Sequence, residues 1–459
     1  MNIEKRSIEF IPENERHGNA KSLITMWFSA NMQLMTLVTG ALAVTMGLNL
    51  FWSVVAILAG NGIGGIFMAS HSAQGPKLGI PQMIQSRAQF GVKGAVIPLI
   101  VVILMYIGFF SAVALLGAEG LSAVTPIPMN WSLVGLSVIT LIFGILGYDF
   151  IHSLEKYLSF LSTILFGIAT ILVLTIGVPA GSWSMGDFHF VPFMLFLSII
   201  VTWQVGFGPY VADYSRYLPS KTSTSKTFWY TYFGSVIGAV WMMTLGVLLT
   251  LAIPDFMNNS TLHFANMFGS NFSVIVVLAL ILGIVALNVL NIYGTFMSIT
   301  TTLVSFVDLR ITPKLRAWLL FVAAFLGTAI AIGVQNNLQA YYTEFMIWLA
   351  YFLLPWSSIN LTDYYFLRKG EYSVKDIFDV NGIYGKYNWI SLIVYLFVVM
   401  IEIPFMHTSM YKGPIANALD GADITWIVGI FLPGILYYYP MKLKLNQMNL
   451  KLVKSNIEG

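Results

Sequence analysis

Long apolar stretches recur from one end of this chain to the other, and they constrain its fold more than any other feature. Each is close to the ~20 residues that an α-helix needs to cross a bilayer. Nothing alternates at period two over the strand lengths of a membrane β-barrel. The sequence therefore predicts an all-α polytopic membrane protein with twelve transmembrane helices, at about 24–47, 51–70, 96–118, 132–150, 156–178, 192–217, 228–253, 273–303, 315–333, 342–366, 388–404 and 423–440.

Charged residues are too few to cover a surface that faces water. They make up 9% of the 459 residues, whereas soluble domains carry about 25%. The absence of cysteine excludes disulfides and thiolate metal sites. A net charge of +3 gives no reason to expect a nucleic-acid partner. The expected surroundings are therefore a lipid bilayer.

Lysine and arginine predict the orientation, because cytoplasmic loops carry an excess of both residues. With the N-terminus in the cytoplasm, every Lys and Arg except Lys412 falls in a tail or a cytoplasmic loop. We therefore predict a multi-pass protein of the cell membrane with both termini cytoplasmic. Residues 1–21 and 442–459 form the tails. Residues 22–441 form a single domain of twelve transmembrane helices, since no loop is long enough to fold separately.

Sequence patterns typical of enzymes and metal sites are either lacking or sit in the wrong structural setting. Gly60, Gly62 and Gly65 spell G-x-G-x-x-G, but a dinucleotide site needs a preceding strand, and small residues inside a span let helices pack closely. The histidines lack metal-site spacing and are interpreted as interfacial or capping residues; they are His17, His71, His152, His189, His263 and His407. With no G-x-S-x-G motif and no intramembrane acid–base pair, the chain is not predicted to be an enzyme.

Two of the predicted helices carry interruptions. The sixth contains Gly206, Phe207, Gly208 and Pro209, where proline removes a hydrogen-bond donor and each glycine costs about 1 kcal/mol. The first contains the polar run 27–33. Helices broken at mid-membrane form binding sites in many secondary transporters. The alternative is polar packing between helices, and the occurrence of both interruptions five helices apart favours a broken-helix site.

The eighth predicted helix carries a polar stripe at spacings of three and four, formed by Asn288, Asn291, Thr295, Ser298 and Thr302. Such groups avoid lipid, so they line a water-filled path or, alternatively, hydrogen-bond to other helices. Aromatic residues around Phe109 on the third helix indicate core packing from periodicity alone. Ionisable residues within spans are few, with Glu402 inside the eleventh helix and Asp213 with Arg216 at the predicted cytoplasmic mouth.

Short motifs across nearly the whole chain resemble one known family. They are Ile11-Pro12 with Glu15-Arg16, the stretch Met26-Trp27-Phe28-Ser29-Ala30-Asn31-Met32, the loop Arg87-Ala88-Gln89-Phe90-Gly91-Val92-Lys93-Gly94, Ala212-Asp213-Tyr214, Asn291-Ile292-Tyr293, Asp363-Tyr364-Tyr365, and Gly382-Ile383-Tyr384 with Asn388-Trp389. Together they resemble the nucleobase:cation symporter-1 family, in its purine-cytosine permease branch. The resemblance implies a LeuT-type fold of two inverted five-helix repeats plus two extra helices, and transport by alternating access.

The resemblance also implies a site. A planar ligand would stack between an aromatic residue of the third helix and one at the sixth-helix break, and asparagines of the eighth helix would bind its edge. Carried over by position, the substrate-binding residues are Phe109, Trp203, Gln204, Phe207, Asn288 and Asn291. A sodium site would use Ser29, Met32, Asn291 and Thr295, with Gly294 standing where sodium-coupled members have a hydroxyl.

These expectations define one main function and its rivals. The main one is secondary-active import of a purine nucleobase or cytosine, coupled to Na⁺ or H⁺. The same fold could instead carry another small heterocycle, such as allantoin, a hydantoin, or a thiamine or pyridoxine precursor. A channel or membrane enzyme is the rival from another class. No cofactor is expected beyond the coupling cation.

Overall fold

The computed structural model describes residues 8–146, 148–307 and 309–458, with side chains for 8–145, 157–307 and 309–447. His152 and five of the basic residues counted for the orientation therefore lie outside the described side chains; the five are Lys5, Arg6, Lys156, Lys451 and Lys454. The helices of the first half are α1 (Ser22–Ala30), α2 (Leu34–Thr45), α3 (Leu50–Ser72), α4 (Gly75–Leu78), α5 (Gln82–Phe90), α6 (Val96–Val124), α7 (Met129–Leu146), α8 (Tyr148–Ile176), α9 (Phe190–Gly206) and α10 (Gly208–Ser215).

The second half repeats this helical pattern with more irregular connections. Its helices are α11 (Thr224–Ala252), α12 (Ser260–Asn266), α13 (Ser270–Leu303), α14 (Pro313–Val334), α15 (Leu338–Leu361), α16 (Val374–Phe378), α17 (Trp389–Glu402), α18 (Pro414–Ala418) and α19 (Thr425–Glu458). Single turns of 3₁₀-helix occur at Glu13–Glu15, Phe256–Asn258 and Ile403–Phe405, and a π-helical turn, Thr362–Leu367, extends α15. One isolated antiparallel bridge joins His407 and Lys412.

The predicted membrane spans correspond to helices throughout the described residues. Among the residues that the structure describes, eight helical segments are long and apolar enough to cross a bilayer. Shorter apolar helices at Leu34–Thr45, Met129–Ile145 and Trp389–Phe405, together with α19, occupy the remaining predicted positions. The polytopic all-α class is confirmed, and the helices are consistent with twelve spans.

Some predicted boundaries are wrong. The fourth helix was expected to reach residue 150 and the fifth to begin at 156, but α7 ends at Leu146 and α8 already begins at Tyr148. The last helix was expected to end near 440, but α19 continues to Glu458 through the predicted tail. The part of α19 beyond residue 440 contains no long apolar run, so a prediction based on hydropathy does not recognise it as helix.

Close packing between the two halves follows the symmetry expected of inverted repeats. The first span (α1 and α2) packs on the seventh (α11), and the sixth (α9) packs in the equivalent way on the second (α3). Glycines allow backbone contact there. An ideal Cβ on Gly246 of α11 would lie 1.9 Å from the Leu37 carbonyl oxygen, and one on Gly64 of α3 would lie 2.6 Å from the Val201 carbonyl oxygen.

The glycines of the apparent G-x-G-x-x-G motif also serve helix packing. A Cβ on Gly60 would lie 2.6 Å from Ile200, and one on Gly65 would lie 2.7 Å from Val236. Of the three glycines, Gly62 alone has room for a side chain, since its nearest neighbour would be 3.6 Å away. The packing interpretation is confirmed at Gly60 and Gly65.

The connection between the second and third spans is a buried polar layer rather than a surface loop. Every residue of α5 is buried. Arg87 donates to the Thr301 carbonyl (3.2 Å) and to Ser305 Oγ (3.1 Å) at the end of α13, where a cation complements the helix dipole. Burial lowers the pKa of Arg87 to about 10. This contact gives the Arg87–Gly94 loop a structural role: it holds the end of the eighth span.

The N-terminal segment ties the same end of the bundle together. The Ile11 N–H donates to the Gly79 carbonyl (2.9 Å), and the His17 N–H donates to the Tyr217 carbonyl (2.7 Å). These bonds connect the segment to the α4–α5 turn and to the end of α10. We call this end the tail side and the opposite end the far side.

Candidate functional site

The first span is broken at Asn31–Gln33, within the predicted polar run. α1 ends at Ala30, Gln33 is extended, and α2 starts at Leu34. Side-chain amides take over the freed carbonyls, since Asn31 Nδ2 donates to the Trp27 carbonyl (2.9 Å) and Gln33 Nε2 donates to the Ala30 carbonyl (2.8 Å). The amides of this run therefore stabilise the break itself.

The break in the sixth span is narrower than the sequence predicted. α9 ends at Gly206 and α10 begins at Gly208, so only Phe207 separates them. Its backbone stays in the right-handed helical region, and its N–H still bonds to the Gln204 carbonyl at 3.2 Å. Pro209, which lacks an N–H, lies in the first turn of α10, the position at which proline is best tolerated.

A buried polar chain connects both breaks. Trp203 Nε1 donates to Asn31 Oδ1 at 3.0 Å. Asn31 Nδ2 lies 3.3 Å from Ser235 Oγ, Ser235 donates to Gln204 Oε1 at 2.8 Å, and Gln204 Nε2 donates to Asn61 Oδ1 at 2.8 Å. The chain thus links the first, sixth, seventh and second spans. In this conformation the Gln204 amide is fully buried and engaged with protein partners.

The predicted aromatic residues lie together. Phe109 and Trp203 contact each other edge to face, with centroids 6.1 Å apart at 86°, and Trp203 and Phe207 do so at 5.8 Å and 84°. Phe345 of α15 packs on the other side of Phe109 at 5.1 Å. A stacked ligand needs parallel rings roughly 7 Å apart, twice the base-stacking rise of about 3.4 Å. A sandwich formed by Phe109 and Trp203 therefore requires one of these two rings to rotate.

The asparagines of the polar stripe have different environments. Asn288 Nδ2 donates to the Phe110 carbonyl of α6 at 3.2 Å, and Asn291 Nδ2 donates to Asn288 Oδ1 at 3.0 Å. Asn291 also lines a cavity, whereas Asn288 lines neither of the two cavities near the breaks. Both interpretations of the stripe therefore hold in part, with Asn288 joining helices and Asn291 facing open space.

Two adjoining cavities lie beside the breaks. The first, about 600 Å³, extends from the N-terminal segment at His17 along α10 to Asn291 on α13. Asp213 and Arg216 line it, as expected of residues at a mouth. The second, about 920 Å³, is lined by Ser29 and Met32 of the first span, by Phe207 at the break of the sixth span, and by α13 at 280–290. Tyr210 and Leu287 line both cavities.

The site is closed towards the far side. The hydroxyls of Thr39 on α2 and Tyr342 on α15 are 2.7 Å apart. Phe345 fills the space beside Gly108 of α6, where a Cβ would lie 2.2 Å from the ring, and Tyr341 donates to the Gly108 carbonyl at 3.3 Å. Since the first cavity reaches the N-terminal segment, this conformation opens towards the tail side.

The prediction that His71 is an interfacial or capping residue is wrong. It is fully buried, with Nε2 2.8 Å from Ser357 Oγ and Nδ1 3.1 Å from Gln82 Nε2. Its ring stacks on Trp356 at 4.8 Å and 7°. A Cβ on Gly208 would lie 3.3 Å from both rings, so this stack supports the start of α10. Sequence reasoning missed His71 because its partners are far along the chain.

The candidate sodium ligands do not converge on one cavity. Ser29 and Met32 line the second cavity, and the Ser29 carbonyl already accepts the Met32 N–H at 2.9 Å. Asn291 lines the first cavity. Thr295 Oγ1 donates to the Asn291 carbonyl at 2.9 Å, within its own helix. A cation site from these four residues needs a different arrangement of the first and eighth spans.

A tyrosine ring explains why position 294, where sodium-coupled members of the family are expected to have a hydroxyl, is a glycine. An ideal Cβ on Gly294 would lie 2.3 Å from the ring of Tyr106 on the third span. That ring also packs against Tyr210 of α10, with centroids 5.7 Å apart. The place of the missing hydroxyl is therefore taken by an aromatic side chain that bridges the third, sixth and eighth spans.

Comparison with known proteins places these features in a family. The family described as "Permease for cytosine/purines, uracil, thiamine, allantoin" matches residues 10–429. The Bacillus subtilis (strain 168) protein named "Putative purine-cytosine permease YxlA" is 51% identical over 447 residues, covering 97% of this chain and 98% of that protein. Purine-cytosine permease fcyB of Emericella nidulans is 27% identical, with 95% and 88% coverage.

A solved structure shows the same fold. Mhp1, a nucleobase-cation-symport-1 family transporter in a closed conformation with bromovinylhydantoin bound, superposes with a TM-score of 0.76. It is 20% identical, and the alignment covers 96% of this chain and 95% of that one. The predicted LeuT-type architecture is confirmed by this likeness.

Proposed function

Because the chain belongs to the family of permeases for cytosine/purines, uracil, thiamine and allantoin, it is a membrane transporter, and we propose that it imports a purine nucleobase or cytosine. Import is secondary-active and proceeds by alternating access. The purine-cytosine permeases among its relatives support this substrate class.

The observation that carries the proposal is the position of Asn291. Its side chain lines a cavity that begins at the tail side and ends beside the breaks of the first and sixth spans. A carboxamide can donate to and accept from the edge of a base simultaneously. The cavity volume of about 600 Å³ is within the range of about 300–1,000 Å³ typical of small-molecule sites.

The aromatic residues would supply the remaining recognition. We propose that Phe109 and either Trp203 or Phe207 stack on the two faces of the ring once the substrate separates them. Stacking depends on the π face rather than on edge groups, so it selects for planar heterocycles as a class. Edge contacts at Asn291 then select among them. Asn288 positions Asn291, and Gln204 stabilises the surrounding helices.

A carrier of another heterocycle is the second candidate. The hydantoin bound to Mhp1 favours it, because the fold is shared and stacking alone discriminates weakly between planar rings. Competition among radiolabelled substrates separates the two candidates.

We propose a cation gradient as the driving force, with the proton favoured over sodium. The candidate sodium ligands line different cavities or bond within one helix, and Tyr106 takes the place of the missing hydroxyl. Uptake into proteoliposomes with sodium and proton gradients imposed separately tests this point. Sodium-driven uptake without a proton gradient would contradict it.

We also propose that the tail side is cytoplasmic. The N-terminal segment that lines the cavity belongs to the face on which all Lys and Arg but Lys412 are expected. Protection of residues 8–18 from protease added to intact cells, with cleavage after permeabilisation, is the expected result. Cleavage in intact cells would reverse the assignment.

Binding to the purified protein is the most direct test of the substrate. Ligands that bind the folded state raise its unfolding temperature, so adenine, guanine, hypoxanthine or cytosine should produce a concentration-dependent rise. Asn291→Ala should remove most of that rise without lowering the unfolding temperature of the free protein. A response confined to hydantoins, allantoin or vitamin precursors would establish the second candidate, and a response to none of these compounds would refute both.

A further inference from the structure

The far end of α17 carries a carboxyl group that the site described above does not use. Glu402 is fully buried, and both of its carboxylate oxygens are without a hydrogen-bond partner among the described residues. Buried charges are normally paired, because an unpaired ion loses its hydration when it is removed from water. This side chain therefore lacks what an ionised carboxylate needs.

The surroundings of Glu402 are apolar on the sides where helices pack. Its Oε1 faces α19, where a Cβ on Gly429 would lie 2.6 Å away. The same glycine position is 3.2 Å from Leu354 Cβ and 3.4 Å from Pro355 Cδ of α15. Trp426 lies three residues before Gly429, on the same face of α19, and its buried indole N–H is likewise without a partner.

The other titratable groups near Glu402 do not neutralise it. Tyr395, on its own helix, donates to the Phe352 carbonyl at 3.0 Å. Asp423, which precedes α19, repels a negative charge on Glu402. Tyr351 of α15 and the backbone of His407, which follows α17, both donate to Asp423.

Asp423 shows how the oxygens of another buried carboxyl group in this region are satisfied. It accepts hydrogen bonds from Tyr351, from the backbone N–H of His407 (3.1 Å) and from the backbone N–H of Thr425 (2.8 Å). Glu402, with no comparable donor, can remove its charge only by binding a proton. A carboxylic acid also has an O–H to donate, which the carboxylate lacks.

We propose that Glu402 is a proton-binding residue that takes up a proton from the far side when the transporter closes on that side. The O–H bond forms as a hydronium ion gives up a proton and becomes water, and it breaks by the reverse transfer when the far side opens. The neutral carboxyl is then compatible with the dry packing of α15, α17 and α19.

The link to transport passes through α15. This helix carries Tyr342 and Phe345, which close the site towards the far side, and its Leu354–Pro355 segment packs beside Glu402. Pro355 lacks an N–H and leaves a carbonyl one turn earlier without its helical donor, so the helix can bend at this level. Bending that opens the far side therefore changes the surroundings of Glu402. This inference rests on alternating access but on no particular substrate.

The test measures far-side opening at different pH values. The chain has no cysteine, so Thr36→Cys places one reporter thiol on the face of α2 that carries Thr39, where it is fully buried while the far side is closed. A membrane-impermeant maleimide added on the far side labels it only on opening. Because closure binds a proton, raising the pH should favour opening, by up to about tenfold per pH unit.

Glu402→Gln, which mimics the neutral form, provides the comparison. In this derivative the labelling rate should change with pH only because the thiol itself titrates. The thiol is the same in both proteins, so its effect cancels when the rate of the Thr36→Cys protein is divided by the rate of its Glu402→Gln derivative. This ratio should rise with pH. Glu344→Gln is the matched control, since Glu344 lies on α15 at the same end and accepts from the Ser409 N–H at 2.6 Å. It should keep the pH dependence of the parent. A pH-independent ratio for Glu402→Gln would overturn the inference.

Two further measurements keep the inference testable if Glu402→Gln folds poorly. Glu402→Asp should shift the pH midpoint of labelling, and an unchanged midpoint would count against Glu402. Infrared spectra of the purified protein should contain a protonated-carboxyl C=O band that Glu402→Gln or Glu402→Asp removes or moves. A band unaffected by these changes would overturn the proposal. This measurement needs no substrate, so its result does not depend on whether the protein transports a nucleobase.

Discussion

The hydroxyl contact between Thr39 and Tyr342 gives a direct way to shift the conformational equilibrium. It joins α2 to α15 at 2.7 Å where the site is closed towards the far side. Thr39 Oγ1 also donates to the Met35 carbonyl at 2.7 Å, so Tyr342→Phe removes one hydrogen bond without leaving the threonine donor unpaired. A buried hydrogen bond of this kind contributes about 1 kcal/mol.

That energy applies only to the closed state, because opening separates the two helices. A loss of about 1 kcal/mol raises the ratio of open to closed protein about fivefold. Far-side labelling of the Thr36→Cys reporter should therefore be about five times faster in the Tyr342→Phe derivative, while the unfolding temperature changes little.

Tyr365→Phe is the matched control for this measurement. Tyr365 lies in the π-helical turn that extends α15 and donates to the Ser70 carbonyl at 2.7 Å, at the tail-side end. Its loss should leave far-side labelling unchanged. Equal labelling rates in the parent and in Tyr342→Phe would show that this contact does not hold the far side closed. A rise of similar size in both variants would indicate general loosening instead.

Three further outcomes are expected. Asn291→Ala should abolish measurable uptake, because about 1–3 kcal/mol of interaction with the substrate is lost. Asn288→Ala loses a contact between helices and should reduce uptake less. The opposite order of severity in an uptake assay would contradict this assignment. Phe109→Ala should weaken substrate binding roughly tenfold or more in a titration, since stacking contributes about 1–3 kcal/mol per base, and an unchanged affinity would discard the sandwich. Gly294→Ala places a Cβ 2.3 Å from the ring of Tyr106 and should lower both the unfolding temperature and uptake. Gly283→Ala, where nothing lies within 4 Å of the added Cβ, should lower neither. Equal effects of the two variants would show that the Tyr106 ring moves aside freely.

The sequence predicts the spans and both breaks because these depend on local composition. An apolar run identifies a span wherever it packs, and Gly206 to Pro209 weakens a helix regardless of its neighbours. The narrowness of the break at Phe207 was not predictable, because it depends on how α9 and α10 pack against α3.

Contacts between distant residues account for most of what the sequence did not show. α5 is polar yet entirely buried, so it has no apolar face to detect. The burial of His71 depends on Ser357, which lies 286 residues away. The inward direction of Gln204 depends in the same way on Asn61 and Ser235. The resemblance already pointed to Asn291 more than to Asn288, and the packing gives the physical reason: Asn291 faces a cavity, whereas Asn288 donates to a carbonyl of α6.

The glycine contacts between α2 and α11 have a mechanical consequence. A Cβ on Gly40 would lie 2.0 Å from the Met243 carbonyl oxygen, and one on Gly246 would lie 1.9 Å from that of Leu37. Main chain thus touches main chain on both helices, with no side chain between them that could change rotamer and absorb a displacement. At these positions the two helices cannot slide past each other, so they should move together, and the hydroxyl contact of Thr39 with Tyr342 on α15 is one that such a movement has to break.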